Sequence, residues 1–569
     1  MVWLAFLVSL AAVILPAVAA QAAPEKPSHV VIIVLDQARP DTITRYGMTN
    51  VQRLQREGKT FPNAIVGDMA AETVVSHNVI TSGQLPSHMG WSNEVYRDEN
   101  DVLGVPGAYY VTSSMSCAEF KTLIAHGNYP KIQDYLDSKF GENSSFATFT
   151  QKRTSACTSG HTSAASDGTA DDPEDVILQI RGSRKTCGTN PQWRQPESGN
   201  GTPPPWLDVT TGGCDNRWWT DQTPGAYGTG SISPANIYPL DGNRFVPGFD
   251  SAHLGGDTWS ADAAIQEINN DPSWRGMMVS LGAIDKMGHM WGPEDQGEAN
   301  AAANSVEEMR HMPFVAKNAD AQVGKIVDAL QAKGLLDKTL IVITADHAAQ
   351  TGNPFYGVLA PGATNPTCAP PSTGIRSDCN WYYGQDADEV YLDPSPAVAA
   401  LRDRLAGNLA FSYQDTQVAT YLNDRSPAKE REAAAAVLDM PGVVASYYMN
   451  PAQNDYTRFG TNHMTGAERA WFVQHADDLV DTMANDSAPD VVGITGTNVT
   501  YGVIGDHGGS QKLVQNIPMV FYGPGVSSKD SHREMRQVDI LPTILKTMGI
   551  AYDPSHLDGQ AVRLSKPQG

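Results

Sequence analysis

Carboxylates and imidazoles stand at the ends of apolar runs in this sequence, and together they form a common donor set for zinc. Leu340-Ile341-Val342-Ile343-Thr344-Ala345 leads into Asp346-His347, and the run His29 to Leu35 ends in Asp36. Met277 to Ile284 ends in Asp285, with His289 four residues on, and Thr500 to Ile504 precedes Gly505-Asp506-His507-Gly508-Gly509. Two divalent cations a few ångström apart could activate a nucleophile and neutralise a phosphoryl group. Two donor sets fit that chemistry: Asp36, Asp346 and His347 for one cation, and Asp285, His289 and His507 for the other. Thr73 precedes an apolar, helix-like run that stops at Gly83. A threonine there is commonly only a helix cap. The functional alternative is a hydroxyl at a positive helix end, where an anion binds and a nucleophile can ionise.

The elements that must position these groups read as strands. Short runs of Ile and Val with no polar alternation suit strands buried on both faces of a parallel sheet. Ligands of such sheets gather beyond the carboxyl ends of the strands. One site at the carboxyl edge of one sheet explains four strand candidates that all end in Asp or His. The Asp285-x-x-x-His289 spacing points both groups one way if a helical turn follows the strand. Further strands are expected at 61–66, 146–150, 490–494 and 517–525, and helices at 51–58, 260–269, 318–330, 433–438, 467–483 and 538–549. The class is α/β, with a large, mostly parallel sheet flanked by helices. Residues 97–250 and 353–400, rich in Gly and Pro, read as irregular insertions over the carboxyl edge. Within the first, Phe146–Thr150 leads into Gln151-Lys152-Arg153, a basic pair that either faces solvent or clamps an anion.

The chain has 569 residues, 41% hydrophobic, with a formal net charge of −23. That charge argues against coating nucleic acid or anionic membrane, so an anionic substrate needs local attraction, which bound cations supply. Residues 1–23 carry no charged side chain, and small residues surround Ala20-Gln21-Ala22, as in a secretory signal. No basic residue precedes the apolar part, Pro16 and the short apolar length disfavour a membrane span, and no later stretch would span a bilayer. A secreted or periplasmic location is the expectation. Six cysteines agree with export and allow up to three disulfides, Cys187 with Cys214 and Cys368 with Cys379 among the pairings that would staple the insertions. Nothing in the sequence settles the oligomeric state.

Collected in order, the blocks resemble the alkaline phosphatase superfamily, especially its nucleotide pyrophosphatase/phosphodiesterase-like (type I phosphodiesterase) branch. They are Val34-Leu35-Asp36, Thr73-Val74-Val75-Ser76-His77 with Thr81 to His88, Asp285-Lys286-Met287-Gly288-His289, Thr344 to His347, and Gly505 to Gly509. Ile517 to Gly525 and Val538 to Thr543 complete the series. The resemblance implies an alkaline phosphatase-like catalytic domain over 24–569 and a small-molecule phosphoester as substrate. It implies two zinc ions in the donor sets above, and Thr73 as both a metal contact and the nucleophile that becomes phosphorylated. Asn93 falls where the family places an amide that donates to a phosphoryl oxygen. Thr73 replaces the Cys or Ser of sulfatases and no Cys-x-Pro-x-Arg occurs, so a sulfatase-like reaction is disfavoured. His463 competes with His507 for the last ligand position; His507 is preferred because its glycine-flanked block matches the family and follows an expected strand, whereas His463 lies in an apparent loop.

The leading expectation is a phosphodiester or nucleotide pyrophosphate hydrolase. The alternative is a phosphate monoesterase of the Thr-nucleophile type, in which Lys152 would meet the extra charged oxygen of a monoester. Arg153 could join it, although the family's monoesterases space the two basic residues differently. A catalytically silent, metal-stabilised binding protein is a third possibility, against which the intact nucleophile and ligand series argue.

Overall fold

Strand β1 (His29–Leu35) has every side chain buried, as an uninterrupted apolar run requires. The computed structural model describes residues 26–565 apart from 113–114, 142–143, 161–175, 180–253, 297–311, 352–395, 451–452 and 503–504. The expected secretory signal at 1–23, the expected cysteine pairings at 187–214 and 368–379, and much of both insertion regions lie outside the described residues. Thirteen further strands follow: β2 (Lys59–Thr60), β3 (Val95–Arg97), β4 (Tyr109–Val111), β5 (Ser145–Thr150), β6 (Val176–Gln179), β7 (Trp274–Leu281) and β8 (Thr339–Thr344) come first. The second half adds β9 (Leu409–Gln414), β10 (Gln417–Leu422), β11 (Val443–Asn450), β12 (Asp455–Thr461), β13 (Val491–Thr495) and β14 (Met519–Tyr522).

The main sheet has the order β2-β14-β8-β1-β7-β5-β6. β6, β5, β7, β1 and β8 run parallel, and β14 is antiparallel to both of its neighbours. Helices Leu254–Asn270 and Met312–Ala332 pack into one core with its strands through Ala261, Ala264, Val323 and Ile326, all fully buried. The expected fold class is therefore the observed one.

Several elements differ from expectation. Residues 61–66 are not a strand: Pro62 and Asn63 form a turn, with Ala64 N–H donating to Phe61 O at 3.1 Å, and the strand is the preceding Lys59–Thr60. Within the region from residue 97 expected to be irregular, helices Cys117–Gly127, Ile132–Phe140 and Arg153–Gly160 are regular, whereas strand β5 is the one expected at 146–150 and lies inside the main sheet. The run expected as a strand directly before His507 is not one where it is described: residues 496–502 and 505–510 are loop. That loop leaves β13, which belongs to a second, antiparallel sheet of order β12-β11-β13-β10-β9. The two sheets thus meet at the site, in place of the single sheet expected.

Among the described residues no helix is long and apolar enough to cross a membrane. One disulfide, Cys117–Cys157, joins helices Cys117–Gly127 and Arg153–Gly160 across a sequence separation of 40. It ties down the segment that leaves β5 through Lys152. Closing a loop of that length should stabilise the fold by about 2–4 kcal/mol. Replacing both cysteines by alanine should therefore lower the free energy of unfolding by that amount in a denaturant titration, and an unchanged midpoint would show that the bridge constrains nothing.

Candidate active site

The parallel register brings the strand ends level. Leu35 lies opposite Leu281, Val34 opposite Thr344, and Thr150 opposite Ser280. Asp36, Lys152, Asp285 and Asp346 each leave their strand within a few residues of that line, and all four are buried or nearly so. Asp285 sits in the first turn and His289 in the last turn of the short helix Ala283–Trp291, and His289 Nε2 lies 3.0 Å from Asp285 Oδ1.

Thr73 opens helix Thr73–Ser82, whose every residue is buried. Glu72 occupies the capping position, so the Thr73 hydroxyl is not used as a cap. Its Oγ1 lies 3.1 Å from His347 Nε2 and 3.1 Å from Lys152 Nζ. One turn on, His77 donates from Nδ1 to Thr73 O at 2.8 Å, and its Nε2 is 3.0 Å from Ser280 Oγ. This holds the helix start against β7. Burial drives the His77 pKa down to about 4, so the ring is neutral and keeps that donor.

His507 arrives by the loop from the second sheet. Gly505 N–H donates to Thr351 O at 2.8 Å, Gly508 N–H to Ala71 O at 3.2 Å and Gly509 N–H to Met69 O at 2.8 Å. All three glycines have positive φ, a shape that side chains with a Cβ adopt at a cost. The His507 ring stacks on His347 at 3.7 Å and lies 5.1 Å from His289, centre to centre. Burial lowers the pKa of both His347 and His507, so both are neutral and offer lone pairs. His463, by contrast, is exposed.

Lys152 Nζ is 2.7 Å from Asp36 Oδ2 and 2.8 Å from Asp285 Oδ2. Burial alone would lower its pKa, but Asp285, Asp36 and Asp346 outweigh that and hold it above the ordinary lysine value. Burial would raise Asp285, yet Lys152 and His289 keep it well below the usual carboxylate range. Burial and the Asp346 charge push Asp36 well up, since one ammonium cannot balance three carboxylates. Asp346 Oδ2 and His507 Nδ1 are buried without a hydrogen-bond partner among the described residues.

This donor chemistry fits divalent cations. Asp36, Asp346 and His347 place donor atoms within 4.8 Å of one another, as do Asp285, His347 and His507, and also His289, Asp506 and His507. The first group is one of the two sets read from sequence. The second set, Asp285, His289 and His507, is split between the other two groups, with His289 Nε2 and His507 Nε2 lying 3.0 and 3.8 Å from Asp285 Oδ1. Asp506 was missed, although it adjoins His507 in the glycine-flanked block. Asn93 is fully buried, and its Oδ1 accepts from Val95 N–H at 2.8 Å while its Nδ2 has no partner among the described residues. The Arg153 side chain lies outside the described residues.

The sequence model of the "Type I phosphodiesterase / nucleotide pyrophosphatase" family matches residues 30–360. No curated protein sequence matches the chain. Among solved structures, wild-type alkaline phosphatase PafA is 15% identical with a TM-score of 0.58, and the match covers 95% of this chain and 99% of that one. A mutant of the same enzyme with four substitutions gives a TM-score of 0.59 at the same identity and coverage. Murine ectonucleotide pyrophosphatase/phosphodiesterase 5 is 10% identical with a TM-score of 0.50, over 92% of this chain and 96% of that one. At such identities the structural likeness shows the fold.

The geometry separates the two competing histidines. His507→Ala should lose bound divalent metal by more than the ~10–100-fold in affinity that loss of a ligand's supporting partner costs, whereas His463→Ala should retain it. Elemental analysis of the purified variants checks this, and a deficit confined to His463→Ala would transfer the ligand role.

Proposed function

The chain belongs to the type I phosphodiesterase/nucleotide pyrophosphatase family and is a phosphoric ester hydrolase, and from that premise we propose a two-zinc enzyme that works through a phospho-threonine at Thr73. The observation that carries this reading is the position of the Thr73 hydroxyl. It is buried at a helix start, 3.1 Å from both Lys152 Nζ and His347 Nε2, and beside the grouped Asp and His donors.

Asp36, Asp346 and His347 would hold one ion, and Asp285, His289 and His507 the other, with Asp506 as a further donor. Imidazole and carboxylate together suit zinc. When bound, such ions supply positive charge at the phosphoryl group and favour the ionised forms of oxygens beside them. The remaining steps belong to the chain's own side chains. Thr73 Oγ1 attacks phosphorus, with the helix start favouring its ionised form. Asn93 Nδ2 donates to a phosphoryl oxygen, its carbonyl end being fixed by Val95 N–H. The alcohol leaves, and water then releases phosphate from Thr73.

The family name favours a diester or pyrophosphate substrate, but the setting of Lys152 favours a monoester. An ammonium facing solvent would serve either substrate equally. Here its side chain is only 13% exposed and its Nζ stands at the nucleophile. A monoester dianion carries one more charged oxygen than a diester and gains more from that cation. We therefore read the chain as a phosphate monoesterase, with diesters as weaker substrates. Its disulfide and apolar leader support an exported enzyme.

Aryl phosphate monoester, aryl phosphodiester and aryl sulfate assayed side by side should rank in that order of kcat/KM. Lys152→Ala should depress monoester hydrolysis by about 100–1000-fold, comparable with loss of one oxyanion donor, and diester hydrolysis far less. Equal losses on both esters would remove Lys152 from substrate selection and return the diester reading. Thr73→Ala should abolish most turnover while keeping its metal, and near-wild-type turnover would refute the nucleophile.

A further inference from the structure

Gln37 directly follows Asp36 and has no role in the chemistry above. Its φ is +67°, in the left-handed region that a side chain with a Cβ occupies at a cost, and it is 1% exposed. Its backbone N–H donates to Asp346 Oδ1 at 3.1 Å, in the first donor set. Its side-chain Nε2 donates to Asp285 Oδ1 at 3.1 Å, in the second set. The same Nε2 also donates to Gly505 O at 2.8 Å, in the loop that carries Asp506 and His507.

The surroundings are shaped to admit this amide. A Cβ at Gly288 would stand 1.7 Å from Gln37 Oε1, and a Cβ at Gly505 would stand 2.0 Å from Gly288 O. Only glycine at both positions lets helix Ala283–Trp291, the loop and the glutamine meet. Glycine at 37 would adopt the same φ without strain, so the glutamine is there for what its side chain reaches.

The geometry points to Gln37 as a positioning residue that fixes the two cation sites relative to each other, holding the first through its backbone and the second through its amide. This rests on the two-cation reading of the site. The amide donor competes for Asp285 Oδ1 and sets where that carboxylate points, while its bond to Gly505 O sets how far the His507 loop closes.

Gln37→Gly relieves the φ and deletes the amide while leaving the backbone N–H to Asp346. Gln37→Asn also tolerates this φ but falls short by one methylene. Full-length wild type and both variants would be loaded with zinc, dialysed against a graded chelator series and titrated for each ion. Anomalous diffraction at the zinc edge then reads the occupancy beside Asp285 and beside Asp346 separately. The expected result is an ion beside Asp285 bound about 10–100-fold more weakly in both variants, the usual cost of a lost supporting hydrogen bond. The ion beside Asp346 should be retained. Unchanged affinities, or equal weakening at both sites, would overturn the assignment although the two-cation reading stood. A wild-type chain that binds fewer than two ions would overturn both.

Discussion

A one-residue slip between parallel strands moves a side chain by about 3.3 Å, more than the tolerance of a hydrogen bond or a metal–ligand contact. The site of this protein depends on that register being held at four strands at once. β5, β7, β1 and β8 end level, and Lys152, Asp285, Asp36 and Asp346 follow those ends. The register is held by burial: Val30 to Leu35, Met277 to Val279 and Leu340 to Val342 are wholly inaccessible. A sheet apolar on both faces cannot slide without opening cavities on both sides, which costs several kcal/mol per displaced large side chain.

The chemistry then follows from what the register concentrates. Three carboxylates surround one ammonium in a buried space, and the Asp36 carboxyl is driven up for want of positive charge. Neutral, stacked His347 and His507 add lone pairs and no cation. Such an assembly is costly as it stands and would be relieved by divalent cations. On the proposed two-cation reading, stability and function would lean on the same ions, since metal that neutralises the carboxylates would also place positive charge where a phosphate ester must arrive. The acidic surface, net −23 over the chain, leaves attraction of an anionic substrate to that local centre.

Much of this was legible in the sequence because parallel strands buried on both faces leave an unbroken apolar run, and a charged residue that ends the run marks the carboxyl edge. Asp36, Asp285 and Asp346 were readable in that way. Thr73 stands out through the ordered blocks, since a helix-start threonine carries no periodic signal, and His507 through its glycine-flanked block and the apolar run before it. Of the antiparallel sheet the sequence shows one strand, expected at 490–494, while an edge strand such as Asp455–Thr461 is mostly half-buried or exposed and ends in no donor. The reading of 500–504 as a strand fails over its described residues, 500–502, because an apolar run next to a glycine-rich turn is equally a loop, here tied down by Tyr501 N–H donating to Asp415 O at 2.8 Å. Gln37, directly after Asp36, carries no signal in the sequence. Its importance lies in reaching Asp285, 248 positions away, and Gly505, 468 away, which no local pattern encodes.

The central claim is that Thr73 accepts the phosphoryl group. Metal-replete enzyme mixed with an aryl phosphate and quenched in acid should yield a peptide carrying one phosphoryl group on Thr73. The same peptide from Thr73→Ala should carry none. Phosphate on any other residue, or turnover with no trapped phospho-threonine and with oxygen from water entering phosphate by direct inversion at phosphorus, would contradict the account.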